Sequence, residues 1–91
     1  MANKKADEQM ISELFSVITS LESEEDCRKL FSDLCTNKEI EQMAQRIKAA
    51  KLLSQGKTYE QVKAECDISS ATLSRVSHCV KYGEGYSLFF K

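Results

Sequence analysis

An all-helical fold is predicted for this chain by three observations. Its 91 residues contain no proline and only three glycines. Apolar side chains recur at intervals of three and four, the spacing that gathers them on one face of a helix. Ser or Thr stands ahead of several of these runs with a carboxylate or amide following within the first turn, which is how helix starts are written in sequence.

The elements follow in order. Met1-Ala2-Asn3-Lys4-Lys5 is polar, and residues 1–6 read as a disordered start with none of the apolar run of a signal peptide. From Asp7 to Leu21, Met10, Ile11, Leu14, Phe15, Val17, Ile18 and Leu21 form a stripe too wide for a lone surface helix. Ser23 caps a second helix whose first turn, Glu24-Glu25-Asp26, complements the helix dipole and whose apolar side is Cys27, Leu30, Phe31 and Leu34. Thr36 with Glu39 forms a capping box for a third helix through Ile40, Met43, Ile47, Ala50 and Leu53, stopped at Gly56. These stripes exceed what so small a head can cover. They imply a partner, most simply a second copy of the chain.

Thr58 to Val76 reads as two short helices around a tight turn. Thr58 and Gln61 make a second capping box, Val62 and Cys66 share a face, and the chain turns at Asp67, where a left-handed residue is often needed and Asp tolerates it. Ser69 or Ser70 caps the next helix, with Leu73, Val76 and Val80 inward and Ser70, Ala71, Thr72, Ser74 and Arg75 outward. Short side chains let a helix lie deep in the DNA major groove, where hydroxyls and a methyl group reach base edges. Ser70, Ala71, Thr72 and Ser74 are therefore candidate base readers, with Lys63 and Arg75 on phosphates or base edges and Ser69 a further candidate for DNA contact. A helical hairpin with a solvated polar face, used to contact protein, gives the same local pattern.

Charge separates the two halves. Residues 1–45 carry five Lys/Arg and ten Asp/Glu, a balance of minus five, and residues 46–91 carry eight and four, a balance of plus four. The basic half holds the candidate reading helix, as phosphate neutralisation requires. Cys27, Cys35, Cys66 and Cys79 lack any Cys-x-x-Cys pair, and His78 completes no zinc spacing, so the thiols read as reduced, apolar-face residues with no metal. Neither a nucleophile paired with a histidine nor a glycine-rich phosphate loop is present, which argues against an enzyme. No apolar run is long enough to cross a membrane. A cytosolic protein without a cofactor is expected. The full organisation reads as one helical domain, with dimerisation helices at 7–55, a helix-turn-helix at 58–81 and a tail at 82–91, where Ser87 to Lys91 is apolar enough to dock on the chain's own core or on a partner.

Three segments carry a family resemblance: Thr36 to Arg46 (TNKEIEQMAQR), Lys51 to Tyr59 (KLLSQGKTY) and Ser70 to Arg75 (SATLSR). With the tail Val80 to Tyr86 they make the chain resemble the tryptophan repressor family, and within it the less characterised branch of Gram-positive bacteria. The resemblance implies an intertwined helical homodimer that binds operator DNA. It also implies an effector pocket at Thr36, Arg46, Arg75, Val76 and Cys79. In the repressor, two arginines at the positions of Arg46 and Arg75 grip tryptophan, a glycine stands where this chain has Val76, and a serine stands where it has Cys79. A valine in a slot shaped for indole costs about 1 to 3 kcal/mol of overlap. Tryptophan is therefore not the expected effector.

Overall fold

The computed structural model describes residues 4–90. Five α-helices and one short 3-10 turn make up the described chain: α1 (Lys4–Thr19), α2 (Glu24–Leu34), α3 (Asn37–Ser54), α4 (Tyr59–Glu65), α5 (Ser70–Tyr82) and the turn Tyr86–Leu88. No strand occurs among the described residues. The chain divides into two compact units, one ending at Thr36 and the other running from Asn37.

In the first unit, α1 starts earlier and stops earlier than its stripe predicts. Lys4 to Ala6, expected to be disordered, are helical, and residues 1–3 lie outside the described residues. At the other end Thr19 Oγ1 and Ser20 Oγ both donate to the carbonyl of Ser16, at 3.0 and 2.8 Å. Hydroxyls that take up a main-chain carbonyl compete with continuation of the helix, so Leu21 falls beyond it. Ser23 caps α2 as expected, its Oγ accepting from the amide of Asp26 at 3.1 Å. Arg28 and Lys29 pair back to Glu24 and Glu25 one turn earlier, at 2.7 and 3.4 Å. The apolar stripe of α1 stays uncovered in the single chain: Met10 is 68 % and Phe15 58 % exposed. Met10, Leu14 and Val17 line an open groove with Leu30 and Leu34 of α2.

The second unit holds the core. Ala49, Ala50, Val62, Cys66, Leu73 and Val76 are buried together, with Leu52, Leu53, Ile68, Val80, Tyr86 and Phe90 packed against them. α3 packs on both α4 and α5. It serves the helix-turn-helix as a third wall, a role its position ahead of that unit does not announce. Two consecutive alanines on α3 let the backbones approach closely, whereas Ile47, expected inward, is 50 % exposed. Gly56 ends α3 at φ +88°, with Lys57 N–H reaching Leu52 C=O and Gly56 N–H reaching Leu53 C=O, the paired bonds of a Schellman stop. The tail docks on its own core through Tyr86 and Phe90 and leaves Leu88 and Phe89 exposed.

One turn is made differently from the expectation. No residue other than glycine has positive φ among those described, so Asp67 is not left-handed. Cys66 and Ser69 are instead extended, at φ −122°, ψ 139° and φ −70°, ψ 156°. The chain reverses through extended residues, pinned on one side by Cys66 N–H to Val62 C=O at 2.8 Å and on the other by the Ser69 cap. Extended backbone is open to any side chain, and no glycine is required.

Candidate nucleic-acid interface

The expected outward face of α5 is built by its caps. Thr58 Oγ1 accepts from Gln61 N–H at 3.2 Å while Gln61 Oε1 accepts from Thr58 N–H at 2.9 Å, so α4 begins with a complete capping box. Ser69, not Ser70, caps α5: its Oγ accepts from Thr72 N–H at 3.2 Å and donates to Thr72 Oγ1 at 3.0 Å. Ser70 is thereby released to the surface. There it accepts from Lys63 Nζ across the turn, at 2.6 Å.

Leu73 and Val76 anchor α5 inward, both essentially buried, and this fixes the rotation of the helix. Ser70, Ala71, Ser74 and Arg75 come out exposed together, with Thr72 half-buried at their edge. Lys63 and Ser69 are exposed on the adjoining end of α4 and the turn. All seven candidate DNA-contacting residues thus belong to one corner of the second unit. α5 contains no Asp or Glu, while Arg75 and Lys81 supply positive charge. Behind the corner, Lys48 of α3 donates to the carbonyl of Glu65 at 3.5 Å, which ties α3 to the end of α4.

The candidate effector residues assemble in part. Arg46, Arg75, Val76 and Cys79 line one cavity of about 400 Å³ together with Ala71, Thr72 and Tyr86. Thr36 belongs to the first unit and is not among the lining. Val76 is only 2 % exposed, so its side chain occupies the wall where a glycine would leave an open slot. Tyr86 is the lining residue that sequence reasoning missed. Its place depends on how the tail folds back after Gly83, and no spacing along the chain encodes that return. A second, more polar cavity of about 250 Å³ adjoins it, sharing Arg46 and Thr72 and adding Gln42, Gln45 and Asp67, none of them a site candidate in the sequence. Among the described residues no cluster of His, Cys, Asp or Glu could hold a metal ion, and no helix is long and apolar enough to cross a membrane.

Comparison with known proteins agrees with this architecture. Residues 9–90 match the Trp repressor protein family. The chain is 44 % identical over 73 residues, 80 % of its length and 70 % of the relative's, to the uncharacterized protein YerC of Bacillus subtilis. A Staphylococcus aureus protein whose crystal structure is described as a candidate Trp repressor superposes with a TM-score of 0.84 at 36 % identity, over 96 % of this chain and 90 % of that one. A TrpR-like protein of Eubacterium eligens superposes with a TM-score of 0.87 at 36 % identity, over 97 % and 92 %.

Proposed function

The chain belongs to the Trp repressor family, and we propose that it works as a sequence-specific DNA-binding transcriptional regulator and not as an enzyme. The observation that carries this reading is the corner formed by α4 and α5. Short side chains at Ser70, Ala71 and Ser74 face out between Lys63 and Arg75, on a helix held in rotation by Leu73 and Val76. Such a face can approach base edges closely while the cations beside it reach phosphates or base edges.

The regulator acts as a homodimer in this proposal. The exposed stripe of α1 and the apolar groove it shares with α2 are the surfaces a second copy would cover, and two-fold pairing would space two reading helices about one DNA turn apart. Arg46, Arg75, Val76 and Cys79 mark a candidate effector cavity, and Thr36 is the further effector residue that the family resemblance implies. Tryptophan is not its ligand, because Val76 fills the wall an indole would lie against.

The test is an anisotropy titration with randomised duplex DNA at several salt concentrations, followed by sequencing of the bound pool. A two-fold symmetric enriched motif is the expected result. Arg75→Ala should lower the salt slope by about one if it contacts a phosphate. Weak binding with no enriched motif would refute the reading and favour a helical module that contacts protein.

A further inference from the structure

We propose that Lys63 and Ser70 act as one two-donor reader of guanine, an inference that rests on the DNA-binding reading above and assigns it a base. A lysine ammonium has three protons and no lone pair, so in the 2.6 Å contact Lys63 Nζ donates and Ser70 Oγ accepts. The hydroxyl proton of Ser70 cannot point back at the ammonium. It is left to donate outward, and a hydroxyl that accepts from a cation is a better donor for it. Both side chains are exposed, and the ammonium keeps two further protons.

The pair therefore presents two donors side by side, the Ser70 hydroxyl proton and a proton of the Lys63 ammonium. Helix capping does not compete for this hydroxyl, because Ser69 does the capping and spends its Oγ on Thr72. In the major groove guanine alone offers two neighbouring acceptors, N7 and O6. Adenine sets an amino donor beside its N7, thymine a methyl beside its O4, and cytosine presents an amino donor. Two adjacent donors fit the guanine edge and meet a donor or a methyl on every other base.

The experiment is selection of bound duplexes from a randomised library by the full-length wild type, Lys63→Met, Lys63→Arg and Ser70→Ala, with helicity and thermal melting as the check on folding. The wild type is expected to enrich a guanine in each half-site. Lys63→Met and Ser70→Ala should both relax that same position, with preference for guanine falling on the order of tenfold, and Lys63→Arg should retain it. A Lys63→Met variant that weakens every sequence equally and keeps its motif would make Lys63 a phosphate contact and overturn the pairing, leaving the regulator reading intact. Relaxation at a position that is not guanine would also overturn it. A wild type with no sequence preference would overturn both.

Discussion

Replacing Val76 with glycine tests the cavity and the core at once. The side chain is 2 % exposed and belongs to the buried cluster with Leu73 and Val62. Its three side-chain carbons at about 0.8 kcal/mol per buried methylene give about 2.4 kcal/mol. Glycine in place of valine inside a helix adds a few tenths of a kcal/mol, so the loss should be about 3 kcal/mol. That is a large part of the roughly 5 to 15 kcal/mol that holds a domain together. The assay is urea denaturation at fixed protomer concentration, since the stability of an oligomer depends on concentration. Calorimetry with L-tryptophan then asks whether opening the wall admits an indole. Wild type should show no saturable binding at micromolar ligand, and Val76→Gly should gain it. Saturable binding by the wild type, or a variant as inert as its parent, would refute the claim that this side chain excludes tryptophan. A loss below about 1 kcal/mol would refute the packing estimate.

Leu73→Ala should cost about 2 to 5 kcal/mol in the same denaturation assay, because the side chain is fully buried where α5 meets the core. Ser69→Ala should cost about 1 kcal/mol and fray the start of α5, seen as faster amide exchange at Thr72, whose N–H loses its partner. Gly56→Ala should cost about 1 to 2 kcal/mol by melting, since φ is +88° there and nothing crowds an added methyl, which leaves backbone conformation as the whole effect. Glu24→Gln, which breaks the exposed pair with Arg28, should change stability by no more than about 0.5 kcal/mol and serves as the contrasting case.

The helix starts were legible because capping is local. Ser23, Thr58 and Ser69 each satisfy an amide three residues on, and Gly56 supplies the positive φ that stops α3. The inward set Val62, Cys66, Leu73 and Val76 was legible for the same kind of reason, since helical period places side chains on a face. The rest needed distance along the chain to be closed. Whether Ala49 or Ile47 would be the buried residue of α3 depends on which side α5 approaches, and that approach selects the alanines. The turn at Asp67 is flanked by the extended residues Cys66 and Ser69 because the docking of α4 and α5 on α3, not a local left-handed preference, sets the reversal. Arg46 and Val76 were paired through the family resemblance, whereas Tyr86 joins their cavity only because the tail folds back on the core. Sequence by itself determined the helices, their caps and their apolar faces, because these are interactions within one or two turns. Only the tertiary structure decided what lies between the faces, and that is where the cavity, the rotation of α5 and the contact between Lys63 and Ser70 arise.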